Sequence, residues 1–435
     1  MANPAASRRH IAVVGAGLSG LAAAMYLLRH GHQVSLFEAA PQAGGRARSV
    51  ALPATMIDNG QHLCIGAYHQ TLQLLQQAGL TPAQCFHRWP LALHMYDGAH
   101  RMSLITSRWL PAPLHLLSGL LMAQGLSWRS KWQALRWMMT LKRQRFTLPA
   151  DCTLLVLLKQ QQQTSETIRY LWEPLCLAAL NTPIQYASAQ VFLHVLRDSF
   201  QHKQTDSDFL VAKSDLSETM IQPLLAQIQA LGGQLFLREP VTALMGDAAG
   251  CQLVTARQTS WFDDVIVAVA PHQLKTITGD FQPPLSFAYE PITTIYLQFA
   301  AETRLPQPII GLCHGLAQWA FDRGQCCDQA GLIAIVISAH ARLPADKALL
   351  VQQCIAELNL ALASDGMQLP QAPLWYQVIT EKRATFHCAA GLERPRCETR
   401  QPHILLAGDY VSGPYPATIE GAVRSGQQAA QRLCD

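Results

Sequence analysis

The sequence predicts an α/β fold with a parallel sheet at its centre, and three separated blocks of the chain support this prediction. The first block, residues 11–37, has the pattern of a strand, a helix and a second strand. The second, residues 220–269, begins with an amphipathic helix and continues with strands, and the third, residues 403–433, is a strand, a turn and a final helix. Strands that alternate with helices in this way favour a parallel sheet with helices packed on it.

A chain of 435 residues is long enough for more than one domain. The three blocks predict one discontinuous domain, at residues 8–75, 214–275 and 396–435. The two intervening stretches predict an interleaved α+β substrate domain, at residues 76–213 and 276–395. The first of these stretches has a mostly helical pattern, and its basic, tryptophan-rich part predicts a helical, membrane-facing subdomain at residues 98–150.

The strongest motif is a glycine-rich turn that follows the first strand and opens the first helix. Its members are Gly15, Ala16, Gly17, Leu18, Ser19 and Gly20. In such a G-x-G-x-x-G turn the first glycine permits the tight turn, the second lets the backbone approach a pyrophosphate, and the third allows close packing of helix and strand. The free N–H groups at the helix start attract phosphate. The motif predicts a Rossmann-like nucleotide-binding domain.

An acidic residue closes the second strand of this unit. Glu38 lies eighteen residues after Gly20, where a carboxylate accepts hydrogen bonds from ribose hydroxyls and would repel a 2′-phosphate. Glu38 and the adjoining Ala39 are therefore candidate cofactor-binding residues. The turn and the acid do not by themselves separate FAD from NAD.

Further motifs separate the two cofactors. Gly44-Gly45-Arg46 lies just after Glu38, and Arg238-Glu239-Pro240-Val241 follows a strand of the middle block. The C-terminal block contains Leu406-Ala407-Gly408-Asp409-Tyr410 and, after it, Tyr415-Pro416-Ala417-Thr418-Ile419-Glu420-Gly421-Ala422. Together these motifs resemble the flavoprotein superfamily of amine oxidases, protoporphyrinogen oxidases and carotenoid desaturases, and they span both ends and the middle of the chain.

The resemblance implies an FAD-dependent oxidoreductase and assigns expected cofactor contacts. It implies that Gly44, Gly45 and Arg46 contact FAD and that the backbone of Val241 meets the adenine. It places Gly408 and Asp409 near the ribityl chain and phosphate. The start of the last helix, Thr418 and Ile419, would lie under the flavin ring, where the helix N-terminus favours negative charge on reduced flavin.

Two departures from the superfamily pattern argue against an amine oxidase. Amine oxidases of this superfamily carry an aromatic residue two positions before the glutamate of the last motif, and this sequence has Thr418 there. They also carry a lysine near the reactive flavin nitrogen, whereas no lysine occurs between Lys275 and Lys347. The apolar insertions instead suit a long hydrocarbon substrate, as in the isoprenoid branch.

The most distinctive local sequence is Asp58-Asn59-Gly60-Gln61-His62. Together with the Tyr-Pro-Ala-Thr sequence at 415–418, it resembles the squalene-associated FAD-dependent proteins of bacterial hopanoid pathways, which are hydroxysqualene dehydroxylases. The resemblance implies reduction of hydroxysqualene to squalene, with Gly60 beside the flavin. His62 is the candidate general acid, because histidine titrates near neutral pH, and Gln61 is its candidate partner. The alternative is that Gln61 and His62 only hydrogen-bond the flavin or the backbone.

Two rival functions remain open. One is a carotenoid desaturase of the phytoene type, which would run oxidatively on a polyene precursor with the same fold and cofactor. The other, of a different class, is a non-catalytic flavoprotein that holds or delivers isoprenoids. A reductive enzyme would also require an electron donor for FAD, which no motif identifies.

Charge is unevenly distributed along the chain, whose formal net charge is +4. Residues 98–150 contain eight arginines and lysines and no aspartate or glutamate. With the nearby tryptophans this predicts peripheral contact with an anionic membrane, on the cytoplasmic face of the bacterial membrane; the alternative is an ordinary solvated basic face. No motif for nucleic-acid binding and no Cys/His spacing typical of a metal site occurs.

Overall fold

The computed structural model describes residues 8–53, 55–98, 100–200, 202–281, 285–313, 315–340 and 342–435. Strands and helices are numbered in chain order. The strands are β1 His10–Val14, β2 Gln33–Glu38, β3 Ser49–Ala51, β4 Met56–Asp58, β5 Cys64–Ile65, β6 Phe86–Trp89, β7 Ala92–Asp97, β8 His100–Ile105, β9 Phe209–Ala212, β10 Gln234–Leu237, β11 Val241–Gly246, β12 Cys251–Thr255, β13 Thr259–Phe262, β14 Asp264–Val267, β15 Tyr289–Gln298, β16 Ile309–Leu312, β17 Trp319–Asp322, β18 Leu332–Ser338, β19 Trp375–Phe386 and β20 Ile404–Leu406.

The α-helices follow the same numbering. They are α1 Leu18–Arg29, α2 His69–Gln77, α3 Pro82–Cys85, α4 Leu114–Met122, α5 Trp128–Arg143, α6 Leu154–Gln160, α7 Ser165–Thr167, α8 Glu173–Leu180, α9 Ala189–Phe200, α10 Gln222–Ala230, α11 Pro271–Leu274, α12 Arg323–Cys327, α13 Lys347–Leu362 and α14 Ile419–Cys434. Short 3-10 turns lie at Gly45–Ala47, Gln204–Ser207 and Ala363–Asp365, and π-helical turns at Ile168–Trp172 and Ser217–Ile221.

A five-stranded sheet joins the three sequence blocks. Its order is β10-β2-β1-β14-β20, and each neighbouring pair is parallel. β1 and β14 are almost entirely buried apolar strands, as expected for a parallel sheet covered on both faces. Helices α1 and α14 lie so close that a Cβ on Gly426 would be 2.0 Å from the carbonyl oxygen of Ser19. The first and last segments of the chain therefore pack together.

A seven-stranded sheet joins the two intervening stretches. Its order is β19-β15-β18-β17-β16-β7-β8, so strands from both sides of the middle block share it. A separate apolar core lies between this sheet and α13, where Leu350, Cys354 and Leu358 are buried. The sheet topology does not define domain boundaries, so the boundaries given from the sequence stay a prediction.

The helical pattern expected for the first stretch is wrong at its start. Residues 86–105 form β6, β7 and β8, and the helical region predicted at 98–150 becomes helical only from Leu114. Buried and more exposed side chains alternate along β8, and Gly98, at φ +58°, lies in the turn that joins β7 to β8. A two-residue period is typical of a strand, and with the glycine turn it indicates a β-hairpin. The sequence-based prediction instead grouped these residues with the proline- and tryptophan-rich segment that follows. Helices α4 and α5 occupy the rest of the region.

Candidate active site

The glycine-rich turn has the geometry that its sequence requires. Gly15 has φ +103°, and a Cβ there would lie 2.9 Å from the carbonyl oxygen of Ala268. A Cβ on Gly20 would lie 1.9 Å from the carbonyl oxygen of Gly15, so only glycine lets α1 start this close to β1. Gly17 differs, because nothing lies within 4 Å of its added Cβ. The open space at Gly17 faces a cavity.

The start of α1 suits a phosphate group. Leu21 donates the first backbone hydrogen bond of the helix, to Gly17, which has no side chain to cap the helix. The N–H groups of the first turn are therefore directed to the cavity side. The hydroxyl of Ser19 is buried there and has no hydrogen-bond partner among the described residues. An orphaned buried donor of this kind fits a bound diphosphate.

Glu38 fixes the turn from the second strand. One carboxylate oxygen accepts from the N–H of Ala16 at 2.8 Å, and the other accepts from the N–H of Ala40 at 2.8 Å. Glu38 and Ala39 both line the cavity. Each oxygen keeps a further lone pair, so the contacts are compatible with the ribose role that the sequence predicted. The N–H of Glu239 in turn donates to the backbone oxygen of Glu38, which brings the middle block to this edge.

The second glycine pair lies directly against the first turn. Gly44 donates its N–H to the carbonyl oxygen of Ala16 at 2.8 Å and forms an isolated bridge with Gly17. Gly44 and Gly45 both have positive φ, at +110° and +58°, a region that favours glycine. A Cβ on Gly45 would be 3.3 Å from the Cα of Gly17. Both glycines are thus needed for the close approach of two loops.

Arg46 links the first block to the last. Its guanidinium donates to Asp409 at 2.6 Å and to the backbone oxygen of Ala384 at 2.6 Å. The pair is charge-assisted and partly screened from solvent. In the last block, Thr418 caps α14 by accepting from the N–H of Gly421 at 3.1 Å. The motifs at 44–46, 408–409 and 418–419 all line one cavity.

A single large cavity of about 660 Å³ collects the predicted site residues. Of the predicted cofactor-binding and catalytic residues, all line this cavity except Ala16 and Gly20. Those two residues support the lining residues: the N–H of Ala16 donates to Glu38, and Gly20 packs against Gly15. Ser19, His272 and Tyr410 line the cavity, and each has a buried polar atom without a partner among the described residues. The dinucleotide end of the cavity therefore has the residues to hold FAD.

Another part of the cavity wall is apolar. The side chains there come from the residue before β7, from α8, α9 and β9, and from the seven-stranded sheet; they include Leu91, Leu93, Leu175, Phe192, Phe209, Phe321 and Val336. Large apolar walls of this kind bind hydrocarbon by excluding water. The sequence indicated an apolar insertion but did not identify these positions, because buried leucines and phenylalanines in an ordinary core have the same pattern.

The Asn-Gly-Gln-His turn borders this cavity. Gly60 has φ +139°, and the N–H of Gln61 donates to the hydroxyl of Thr294 on β15 at 3.2 Å. His62 hydrogen-bonds the backbone oxygen of Gly60 through Nδ1 at 2.7 Å, so Nδ1 carries a proton and Nε2 is left for another partner. Gly60, Gln61 and His62 all line the cavity.

Buried charges lie behind this turn. Asp58 accepts from the N–H of Leu216 at 2.7 Å and from the hydroxyl of Ser49 at 3.1 Å. Burial raises the pKa of Asp58, and these hydrogen bonds and the nearby Arg323 oppose the shift. Burial lowers the pKa of His62 below its usual range, with the Asp58 charge and the Gly60 carbonyl acting in the opposite direction. His62 is therefore mostly neutral at neutral pH.

Arg323 is a site residue that the sequence did not reveal. Its side chain is 1% exposed, and it lies 3.9 Å from the carboxylate of Asp58. Its Nη1 donates to Gln61 at 2.6 Å, its Nε donates to Gln329, and Nη2 has no partner among the described residues. The only sequence signal was one arginine beside the Cys326-Cys327 pair, and arginine is common on surfaces. Proximity to residue 61 becomes visible only in three dimensions.

No described group of three or more His, Cys, Asp or Glu side chains is arranged to hold a metal ion. Within the part of the chain that the structure describes, none of the helices combines the length and apolar character needed to cross a membrane.

The fold and the cavity define a flavin-dependent oxidoreductase of the amine oxidase type. Residues 18–434 match the family of flavin containing amine oxidoreductases, and the chain belongs to that family. It is an FAD-dependent oxidoreductase, which confirms the fold class, the cofactor and the enzyme class predicted from the sequence.

The relatives that match nearly the whole chain include enzymes named for isoprenoid substrates. The chain is 29% identical over 448 residues to hydroxysqualene dehydroxylase of Rhodopseudomonas palustris, covering 96% of each chain. It is 26% identical to the hydroxysqualene dehydroxylase of Sinorhizobium fredii, covering 97% of each. A zeta-carotene desaturase of Synechocystis is 22% identical and covers 97% of this chain and 96% of its own. These relatives confirm the resemblance to the isoprenoid branch.

Solved structures share the fold. Cyclohexylamine oxidase from Brevibacterium oxydans superimposes with a TM-score of 0.68 at 16% identity, covering 98% of both chains. An oxidoreductase from Methanosarcina mazei gives a TM-score of 0.72 at 15% identity, covering 97% of this chain and 100% of the other. At 15–16% identity, the similarity to these two structures concerns the fold alone.

Proposed function

We propose that this protein reduces hydroxysqualene to squalene, in hopanoid or related isoprenoid biosynthesis. Hydroxysqualene, a proton and a hydride become squalene and water, and reduced FAD becomes oxidised FAD. The observation that supports this most directly is the shared cavity, in which the predicted dinucleotide residues and a wall of leucine and phenylalanine side chains line one space. The hydroxysqualene dehydroxylases at 26–29% identity over nearly the whole chain agree with it.

The cofactor residues named above would hold FAD at one end of the cavity. Gly17, Ser19 and the start of α1 suit the diphosphate, and Glu38 suits the ribose. Arg46 and Asp409 would fix the middle of the dinucleotide, and Thr418 would present the N-terminus of α14. When bound and reduced, FAD supplies a hydride.

His62 would act on the hydroxyl that leaves. A hydroxyl leaves readily only as water, so a donor must protonate it. With Nδ1 held by the Gly60 carbonyl, Nε2 is the atom of His62 that can carry the transferable proton. The lowered pKa makes the protonated ring scarce at neutral pH but a stronger acid. Gln61, fixed by Arg323, would keep the turn in position for this transfer.

The apolar wall would exclude water from the reaction. Loss of the allylic hydroxyl leaves positive charge on the substrate, and water would recapture it and regenerate the alcohol. Leu175, Phe192 and Phe209 offer no hydrogen-bonding groups that could retain solvent there. The same surface would select a long hydrocarbon over a polar amine.

The partners follow from the substrate and the redox balance. A C30 isoprenoid alcohol partitions into lipid, so we propose peripheral association with the cytoplasmic face of an anionic membrane, through the region at 98–150 predicted from the sequence. Each turnover consumes reduced FAD, so a separate electron donor is a further required partner.

The test begins with anaerobic, photoreduced protein. Incubation with hydroxysqualene should yield squalene in an amount equal to the flavin oxidised, as followed by gas chromatography and flavin absorbance. Oxidised protein with phytoene and an electron acceptor is the parallel arm. Desaturated products there, with no squalene in the first arm, would support the carotenoid desaturase alternative instead.

Variants of His62 distinguish a dehydroxylase from a non-catalytic isoprenoid carrier. His62→Gln should retain bound flavin and bind hydroxysqualene, yet form squalene much more slowly. Unchanged single-turnover rates in this variant would remove His62 from the mechanism. A wild-type protein that binds hydroxysqualene and never oxidises its flavin would favour the carrier.

A further inference from the structure

One surface of the molecule combines exposed large apolar side chains with unbalanced positive charge. Trp109 is 93% exposed, Met122 is 80% exposed and Trp128 is 72% exposed, whereas most large apolar residues of the chain are buried. Ile105, Leu121 and Trp132 are also exposed. We call this set, carried by the end of β8, the loop after it, α4 and the first turns of α5, the α4–α5 face.

The exposed residues of this face belong to adjoining elements. A Cβ on Gly119 in α4 would be 3.0 Å from the carbonyl oxygen of Ile105, so the helix lies directly on the end of β8. Lys131 of α5 donates to the carbonyl oxygen of Leu121 at 3.0 Å and lies 4.8 Å from the centre of the Trp128 ring. The ends of α4 and α5 are thereby held together with their tryptophan and leucine side chains outward.

The exposed stripe of α5 continues with basic residues. Trp128, Trp132 and Arg136 follow at intervals of four residues and all are exposed, so they lie on one side of the helix. Arg129 and Arg143 are exposed as well, and no ion pair of the described residues includes these three arginines. Glu166 is the adjoining acid, and it is occupied by the N–H and hydroxyl of Ser127. The face therefore has positive charge beside apolar area.

The framework of this face is hydrogen-bonded to residues of the cavity wall. His115 of α4 hydrogen-bonds the hydroxyl of Ser207 through Nε2 at 3.1 Å, and Ser207 lines the cavity. Thr106, next to Ile105, donates both its N–H and its hydroxyl to the carbonyl oxygen of Leu91 at 3.0 Å, and Leu91 lines the apolar part of the same cavity. The elements that carry the outer apolar face are thus hydrogen-bonded directly to residues of the inner cavity wall.

We propose that the α4–α5 face docks into the interface of a lipid bilayer with anionic headgroups, and that this contact brings the apolar part of the cavity to the membrane. Tryptophans with arginines and lysines are the side chains that partition into this interface, where rings meet acyl chains and cations meet phosphates. The proposal deepens the proposed function, because it names where an apolar substrate is taken up. The docking itself needs no substrate.

The test uses the FAD-loaded full chain without substrate and measures co-sedimentation with sucrose-loaded vesicles. Vesicles of equimolar phosphatidylcholine and phosphatidylglycerol should bind the protein, and vesicles of phosphatidylcholine alone should bind it much more weakly. Combining Trp109→Ser with Met122→Ser should weaken binding at least about tenfold. Arg129→Gln and Arg136→Gln should each weaken it about fivefold, and added salt should reduce the difference.

Matched controls are exposed apolar residues elsewhere on the surface. Trp261→Ser on β13 and Leu374→Ser before β19 remove comparable exposed side chains, at 49% and 75% exposure, and should leave vesicle binding unchanged. Circular dichroism and flavin content check that each variant is folded. Equal losses in the controls, or a wild-type protein that does not bind anionic vesicles, would overturn the proposal.

A second measurement separates this proposal from the dehydroxylase reaction. With hydroxysqualene dissolved in the anionic vesicles, the Trp109→Ser/Met122→Ser protein should turn over slowly, while with detergent-dispersed substrate it should match the wild type. Sedimentation velocity tests the other occupant, a second copy of the chain. A wild-type dimer that the same substitutions dissociate would make the α4–α5 face a subunit interface and would refute lipid docking.

Discussion

The guanidinium of Arg323 donates a hydrogen bond from Nη1 to Oε1 of Gln61 at 2.6 Å, across 262 positions of sequence. The nitrogen of the same amide, Nε2, donates to the backbone oxygen of the neighbouring His62 at 3.2 Å. A residue at the start of α12 in the second stretch therefore orients a turn in the first block. The cavity-lining turn at 58–62 depends on this buried cation.

Replacing Arg323 should loosen the turn. Arg323→Met leaves the carboxylate of Asp58 and the amide oxygen of Gln61 buried without this partner, at a cost of about 3 kcal/mol in unfolding free energy. Arg304→Met, at an exposed arginine close by, is the control and should change stability little. Urea denaturation measures both. Arg323→Lys should rescue part of the stability, and losses of equal size at 304 and 323 would contradict the argument.

Two glycines of the first turn should respond in different ways to alanine. Gly17→Ala puts a methyl group into open space, so the apoprotein should keep its melting temperature while FAD binds at least about tenfold more weakly, because the pyrophosphate needs that space. Gly20→Ala puts a methyl group 1.9 Å from a backbone oxygen and should destabilise the apoprotein itself. Calorimetry on apoprotein and flavin titration distinguish the two effects. A destabilised Gly17→Ala apoprotein with normal FAD affinity would refute this assignment.

These contrasts show what could be inferred from the sequence. The turn at 15–20, the acid at Glu38 and the pair at Gly44 and Gly45 act through local backbone geometry, which spacing reveals. Arg323 and the strands β7 and β8 depend on partners far along the chain, and their local patterns are ordinary. The apolar wall was beyond prediction for the same reason, since a side chain that lines a cavity and one that fills a core have the same sequence pattern.

Glu420 joins the last helix to α2 and should be sensitive to loss of charge. Its carboxylate is fully buried and accepts from the N–H and hydroxyl of Thr71 at 2.9 and 2.7 Å, from the N–H of Gln70 at 3.1 Å, and from Arg424 at 2.7 Å. Glu420→Gln turns one acceptor into a donor that faces other donors. We expect a loss of about 2 kcal/mol in unfolding free energy.

The control for this prediction is an exposed glutamate. Glu393 is exposed, and Glu393→Gln changes the same charge outside any such network among the described residues, so it should stay near wild-type stability. Flavin retention is a second readout, since a shifted α14 would move Thr418 and the residues that line the cavity beside it. Wild-type stability of Glu420→Gln would show that the network tolerates a neutral amide.

The pH dependence of a single turnover should report the proton that His62 provides. Because burial lowers its pKa below 6.5, the protonated fraction at pH 8 is small, and it grows about tenfold for each pH unit lowered until the pKa is reached. With enzyme reduced beforehand and saturating hydroxysqualene, the rate of flavin oxidation should rise as pH falls from 8 toward 6. The rise should disappear in His62→Gln. His272, a second cavity histidine whose pKa burial also lowers, is the matched control. The rise should persist in His272→Gln, and a pH dependence that survives in His62→Gln and vanishes in His272→Gln would transfer the acid role to His272.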